Sequence, residues 1–355
     1  MIKYLGSKRR LVPVLAELCE RSQARTALDL FTGTTRVAQA FKATGATVTA
    51  LDRTRAAAVL AACYVASDAT AVDHDALAAA VARLDALPGR PGYVTDTFCE
   101  RSRFFQPHNG ARIDAVRDAI EEDHAGDPLY PVILTSLLEA ADRVDSTTGV
   151  QMAYVKDWAP RSYRPLQLRV PELLAGPGHA VCGDAASAVA GLGEFDLAYL
   201  DPPYNQHRYE ANYHIWETIV AWDAPEHYGV ACKRVDTRTV ERSPFNSRRT
   251  MPTALAGLVR DVRARVVVLS YNDESWVSLD ELVGMCEVHG HVEVLGFESA
   301  RYVGARIGIH NPAGERVGTV GRLRNTEYLL VAGERSEVRR LVAPWRASAG
   351  VARAS

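Results

Sequence analysis

The chain has 355 residues, 47% hydrophobic and 24% charged, with a formal net charge of −2, enough to bury a substantial core. No run reaches the roughly 18 apolar residues of a membrane span, and a near-neutral charge excludes a globally basic coat for nucleic acid while leaving room for a local basic patch. Six scattered cysteines (Cys19, Cys63, Cys99, Cys182, Cys232, Cys286), with no Cys-x-x-Cys pair and no clustered histidine, argue against a metal site or a disulfide framework and for reduced core thiols in a cytoplasmic protein.

The opening Lys3-Tyr4-Leu5-Gly6-Ser7-Lys8-Arg9-Arg10 is too basic for a signal peptide and leads into a helical pattern at Leu11, Val14, Leu15 and Leu18. Residues 27–37 read as an apolar strand, a small-residue turn, then an amphipathic helix with Val37, Ala38 and Phe41 on one side. A second strand over residues 47–51 ends on Asp52, 23 positions after Asp29. That is close to the spacing of about 20 at which an acidic side chain holds a cofactor ribose, so Asp52 is the candidate for that role. The turn has one glycine, Gly33, where a dinucleotide fingerprint has three, which leaves a pyrophosphate without a cradle. Residues 56–66 read as an alanine-rich core helix.

The segment over residues 75–175 interrupts this pattern with helical stretches at 113–124 and 130–144, joined by Pro/Gly-rich pieces such as Pro88-Gly89-Arg90-Pro91-Gly92. Arg161, Arg164 and Arg169 make part of it positive. The apolar run 195–200 then reads as a buried strand entering the rigid turn Asp201-Pro202-Pro203-Tyr204. A carboxylate can accept one hydrogen of an exocyclic amine, the Pro202 carbonyl the other, and Tyr204 offers a flat face to a planar base. Such a turn holds a nucleobase amine toward a methyl donor. S-adenosylmethionine, a donor without phosphates, suits both this turn and the glycine-poor loop.

Between Lys233 and Arg249 six basic residues, Arg248 and Arg249 among them, face Asp236 and Glu241, a local charge of +4 suited to phosphates. Residues 266–269 read as a central strand, and 292–296 with 328–332 as an antiparallel pair closing the sheet. After Arg335 the only apolar residues with structural promise are Leu341, Val342 and Trp345, so a partly disordered tail is expected.

These motifs run in the order Lys-Tyr-Leu-Gly-Ser-Lys, Asp-Leu-Phe-Thr-Gly-Thr-Thr, Asp52, a long insert, Gly183-Asp184-Ala185 and Asp-Pro-Pro-Tyr. The match continues through Asn205, Tyr213-His214, Glu217-Thr218-Ile219, Ser243-Pro244-Phe245-Asn246-Ser247, the strand from Val266 to Asn272, and Asn325-Thr326-Glu327-Tyr328. Over about residues 2–331 the chain resembles the Dam-like N(6)-adenine-specific DNA methyltransferases whose cofactor motif stands at the N-terminus.

The resemblance implies an α/β, Rossmann-like methyltransferase fold with a mostly parallel sheet and an antiparallel C-terminal strand. It would divide the chain into a composite catalytic domain (1–74 and 176–334), a largely helical target-recognition insert (75–175) and a tail (335–355). Tyr4, Gly6 and Lys8 would help enclose S-adenosylmethionine, Asp29, Phe31 and Gly33 would line its methionine end, and Asp184 would meet its adenine ring. Asp201 would belong to both the cofactor and the catalytic sets, Pro202, Pro203 and Tyr204 would complete the clamp on a flipped adenine, and Lys3 would touch DNA. The implied partners are double-stranded DNA and a cognate restriction or defence nuclease, with no membrane, for a monomer or weak dimer.

Within the insert Asn109, Arg112, Thr147, Thr148, Gln151 and Lys156 are chemically suited to base edges. Relatives of this kind often carry a second glycine where Thr35 stands. A helical first-turn conformation, with Thr35 capping a free amide, is the expectation there, together with reduced cofactor affinity. The alternatives are methylation of cytosine N(4) or of RNA, since an amine clamp does not discriminate bases or sugars, and a non-catalytic relative that binds DNA or cofactor.

Overall fold

Three short apolar strands, β1 (Thr26–Leu30), β2 (Thr47–Asp52) and β3 (Gly178–Cys182), pair in parallel, with Thr26 opposite Thr47 and Val48 opposite Gly178. β1 and β2 are buried along nearly their whole length, as parallel strands covered on both faces are. The computed structural model describes residues 2–3, 8–147, 149–155, 157–203, 209–239, 242–273, 275–300, 309–310, 316–318 and 324–346. The chain divides into two units, one of Met1–Glu20, Arg25–Ala188 and His207–Arg242, the other of Arg21–Ala24, Val189–Gln206 and Ser243–Ser355.

In the first unit α1 (Val12–Arg21) buries Leu15, Leu18 and Cys19, and α2 (Arg36–Ala43) buries Val37, Ala38 and Phe41, the faces their spacing predicts. α3 (Arg55–Ala61) is capped by Thr54 and then widens into a π turn over Ala62–Ala66, so the expected alanine-rich helix changes pitch. The buried Lys42 ammonium accounts for the free carbonyls there, donating to Val65 O at 2.8 Å and Ser67 O at 2.7 Å. β3 starts on glycine because a Cβ at Gly178 would lie 2.3 Å from the same Val65 oxygen.

The helices α4 (His74–Asp85), α5 (Pro107–His124) and α6 (Tyr130–Val144) follow, with the short α7 (Ala185–Ala188) and α8 (Tyr209–Asn212) and then α9 (His214–Ala221). Phe98, Phe104, Ile113 and Leu137 join Leu60 of α3 and Ile215 and Trp216 of α9 in one hydrophobic core. Residues 75–175 therefore share their core with α3 and α9. A two-stranded ribbon, β5 (His227–Tyr228) and β6 (Lys233–Arg234), closes the unit.

In the second unit β4 (Glu194–Leu200) pairs in parallel with β7 (Arg263–Asn272), the helices α10 (Met251–Asp261) and α11 (Leu279–Cys286) flank the chain's course, and the strand β8 (His291–Ala300) follows. After the short pair β9 (Ile309–His310) and β10 (Arg316–Gly318), β11 (Arg324–Gly333) runs antiparallel to both β7 and β8. Val292 lies opposite Ala332 and Gly296 opposite Tyr328, the pairing expected from sequence. Parallel strands with helical crossovers and an antiparallel final strand make this an α/β, Rossmann-like fold.

The tail differs from expectation. α12 (Arg335–Val342) buries Val338, Leu341 and Val342, spaced three and four apart, and a short turn over Ala343–Trp345 follows. Four of its eight residues are charged, which hid the apolar stripe. Residues 347–355 lie outside the described part. No helix among the described residues is long and apolar enough to cross a membrane.

Candidate active site

In the first unit the carboxyl ends of β1, β2 and β3 lie side by side, the place where open α/β sheets bind ligands. The loop after β1 takes left-handed backbone angles at alternate residues: Phe31 (φ 67°), Gly33 (φ 50°) and Thr35 (φ 62°). For Phe and Thr each such angle costs about 1–2 kcal/mol. Several bonds hold the loop against that cost. One Asp29 oxygen accepts from the Thr32 hydroxyl at 2.7 Å and the Ala38 amide at 3.1 Å, and the Thr32 amide donates to Leu51 O at 3.0 Å. Asp29, the expected methionine-end residue, is buried and shapes the loop from beneath.

Thr35 corrects the expectation. It is left-handed rather than helical and makes no side-chain cap. Its hydroxyl donates to Thr34 O at 2.7 Å and accepts from Gln39 Nε2 at 2.8 Å. The fixed loop around it, not a cap, sets its conformation.

Asp52, at the end of β2, is buried and accepts three hydrogen bonds: Gly33 N–H on Oδ2 at 2.9 Å, and the Thr54 amide and hydroxyl on Oδ1, each at 2.9 Å. Burial holds its pKa above the ordinary carboxylate value, the three bonds oppose that shift, and Glu210 adds to it. A carboxylate offers about four acceptor positions, so one is left for an incoming hydroxyl. Beside it the Gly183 amide donates to Asp52 O at 2.9 Å, and Asp184 Oδ1 accepts from the amides of Ala186 (3.0 Å) and Ser187 (3.3 Å) at the start of α7. Lys8 is buried, its carbonyl accepting the amides of Leu11 and Val12. Tyr4 and Gly6 lie outside the described residues.

Sequence reasoning gave no role to Glu217. From α9 its carboxylate accepts the N–H groups of Ala56 (2.8 Å) and Arg55 (3.3 Å) at the start of α3. Burial raises its pKa, those bonds lower it, and Asp52 raises it again. With Gly33, Thr34, Thr54, Tyr213 and Trp216 it lines a small cleft of about 20 Å³. A lone carboxylate within the apolar run His-Ile-Trp-Glu-Thr-Ile-Val was the available signal. Cys182, expected in the core, is exposed at the end of β3, whereas the other five thiols are buried.

The residues fit S-adenosylmethionine better than a nucleotide phosphate. The loop carries side chains at two of its three left-handed positions, which denies a pyrophosphate the close backbone approach it needs, while Asp52 keeps an acceptor position suited to ribose hydroxyls.

In the second unit β4, with Leu200 opposite Leu269, ends directly in Asp201-Pro202-Pro203. Pro202 is buried and Asp201 and Pro203 are half-buried. Tyr204 lies outside the described residues.

The DNA-contact candidates divide sharply. Asn109 is fully buried, donating to Ser162 O (3.0 Å) and Arg164 O (2.9 Å) and accepting from the Leu166 amide (2.8 Å). Arg112 donates to Asp85 O at 2.6 Å and pairs with its carboxylate at 3.3 Å. Gln151 is buried with its Oε1 on the Ile215 amide at 2.8 Å, and the Thr147 hydroxyl donates to Asp145 at 2.6 Å. These four hold the fold through the bonds named, and Asn109, Gln151 and Thr147 are buried. Thr148 and Lys156 lie outside the described residues. Lys3 is paired with Asp142 (3.0 Å) and Asp145 (3.2 Å), and Arg161 with Asp145 (2.5 Å), so both charges have partners within the fold. Arg234 forks between Asp223 and Asp236, and Arg238 lies 4.4 Å over the Tyr228 ring. Arg248 and Arg249 stay exposed and form no ion pair among the described residues.

A Rossmann-like frame, an acidic residue closing β2 and a strand running into Asp-Pro-Pro define an S-adenosylmethionine-dependent methyltransferase of nucleobase amines. A model of the D12 class of N6 adenine-specific DNA methyltransferases matches residues 4–285, and the chain belongs to that family. It is 30% identical over 316 residues to the type II methyltransferase M.NlaIII of Neisseria lactamica, covering 85% of this chain and 92% of that one. It is 25% identical to the modification methylase StsI of Streptococcus sanguinis and 28% identical to the modification methylase LlaI of Lactococcus lactis, spanning 49% and 51% of their lengths and 85% of its own. A solved precorrin-6y C5,15-methyltransferase from Geobacter metallireducens overlaps 94% of each chain at 12% identity with a TM-score of 0.31. The protein is a site-specific DNA adenine methyltransferase whose methyl donor is S-adenosylmethionine.

Proposed function

We propose that Asp201 and the Pro202 carbonyl take the two amine hydrogens of an adenine rotated out of the duplex, and that Tyr204 stacks on its ring. The observation that carries this reading is β4, buried along its C-terminal half and ending without a spacer in Asp201-Pro202-Pro203. Base extrusion costs a few kcal/mol, and stacking worth roughly 1–3 kcal/mol together with the two amine bonds offsets it. Accepting both hydrogens draws the amine from planarity and frees the nitrogen lone pair. S-adenosylmethionine, when bound, supplies a sulfonium methyl open to that lone pair. The residues then act by alignment more than by proton transfer. Asp52 holds the ribose through its remaining acceptor position, Asp184 meets the cofactor's adenine ring, and Phe31 and Gly33 border its methionine end over the loop that Asp29 fixes.

Residues 75–175 select the sequence through side chains other than Asn109, Arg112, Thr147 and Gln151, and Arg248 and Arg249 grip phosphates. Two of the relatives bear the name modification methylase, which favours a role in protecting DNA from a partner nuclease. Asp201→Ala tests the clamp: unfolding and cofactor binding stay within a few-fold while methylation is lost. Turnover retained within about tenfold, a barrier change of only about 1.4 kcal/mol, refutes the assignment.

A further inference from the structure

Glu217 completes the cap of α3 from a distant part of the chain. The first amides of a helix lack intrahelical partners, and the preceding side chain ordinarily supplies one. Thr54 already fills that place for α3, its hydroxyl accepting the Ala57 amide at 3.4 Å. The two amides that Thr54 does not reach are taken by Glu217, 161 residues from Ala56 along the chain, which accepts from Ala56 at 2.8 Å and from Arg55 at 3.3 Å. It sets a carboxylate near that of Asp52, an arrangement of like charges that needs a reason.

The bonds continue past α3. The Thr54 amide and hydroxyl hold Asp52 Oδ1, each at 2.9 Å, and Asp52 Oδ2 holds the Gly33 amide at 2.9 Å. One line of hydrogen bonds thus joins α9, the first turn of α3, the end of β2 and the loop after β1. Glu217, Thr54 and Gly33 also line the same small cleft.

We propose that Glu217 is a positioning residue for the cofactor: by fixing the first turn of α3 it orients Asp52, so that the remaining acceptor position of that carboxylate points to the ribose. The inference rests on the ribose role assigned to Asp52. Its effect belongs in cofactor affinity, since Glu217 acts through Thr54 and Asp52.

Titration calorimetry with S-adenosylmethionine on the full chain, alongside steady-state kinetics at saturating DNA, tests it in Asp52→Ala, Glu217→Gln, Glu217→Ala, Thr54→Val and the Glu217→Gln/Thr54→Val pair. Asp52→Ala weakens binding at least tenfold. Glu217→Ala weakens it about tenfold and raises the cofactor KM to match, while kcat stays within about twofold of the parent. Glu217→Gln, which keeps one carbonyl oxygen toward Ala56, weakens it about threefold, and the double variant loses less than the product of the single losses, as members of one network do. Should Glu217→Ala fail to fold, Glu217→Gln and the double variant decide. Unchanged binding in Glu217→Gln, multiplicative losses, or a fall in kcat with KM unaltered overturns the proposal. Unchanged binding in Asp52→Ala overturns the ribose reading and this inference with it, whereas weakened Asp52→Ala beside unaltered Glu217 variants overturns this inference alone.

Discussion

Thr35 is buried and left-handed, a conformation glycine takes freely and a β-branched residue takes at about 1–2 kcal/mol. Thr35→Gly removes that strain but gives up the Gln39 contact and adds chain entropy to the unfolded state. The balance is a gain of up to about 1 kcal/mol in urea unfolding. A loss of stability in that variant shows that the side-chain bonds outweigh the strain. His214 makes the second residue-scale prediction. It is buried against the rings of Phe98 and Phe104, its Nε2 bonded to Gln151 O at 3.0 Å, and burial depresses its pKa to about 3. Below pH 6.5 the unfolded chain binds a proton that the folded chain refuses. The stability it confers is complete above that pH and falls by about 1.4 kcal/mol per pH unit as pH drops from 6.5 toward 3. The buried carboxylates of Asp52 and Glu217 have the opposite sign, so the difference between the parent and His214→Gln stability curves isolates the histidine. Parallel curves between pH 6.5 and 5 contradict it. Asp52 was legible because strand length and spacing are local properties. Asn109 was not, because its three partners arrive from residues 162–166, and only the folded path of the chain brings them there.

At the scale of elements, α9 depends on Arg117 of α5. The guanidinium, almost fully buried, donates to the last carbonyls of α9, Ile219 O at 2.7 Å and Val220 O at 3.2 Å, and lies 5.3 Å over the Trp222 ring. Arg117→Met keeps much of the volume but leaves those carbonyls buried without a donor, which costs about 2–4 kcal/mol. A urea midpoint equal to that of the parent chain shows that water replaces the arginine. Strands proved more readable than helices here. The register of β8 against β11 followed from two apolar runs of equal length near the end of the chain. The pitch change after α3 depends on Lys42, whose reach to Val65 and Ser67 no local pattern records. The apolar stripe of α12 was present in the sequence at ordinary helical spacing, diluted by its arginines.

For the whole molecule the net charge of −2 supplies no general attraction to DNA, so binding is expected to depend on local clusters of exposed cations. The +4 read from residues 233–249 shrinks once Arg234 is paired with two aspartates, and Arg248 and Arg249, exposed and without an ion pair among the described residues, are the cations proposed to meet phosphates. Neutralising both lowers affinity for target and random duplex alike, leaves the methylated motif unchanged and flattens the log-log salt dependence by about 0.9 per lost contact. An altered motif assigns them to base reading instead. The core that residues 75–175 share with Leu60 and Trp216 also bears on how such enzymes diverge. A segment with a core of its own can be inherited as a cassette, carrying a new specificity into an old catalyst in one recombination. Here a transplanted segment would meet Leu60 and Trp216, side chains shaped for another sequence, so exchanging residues 75–175 for those of a relative is expected to lower the urea midpoint of the whole unit.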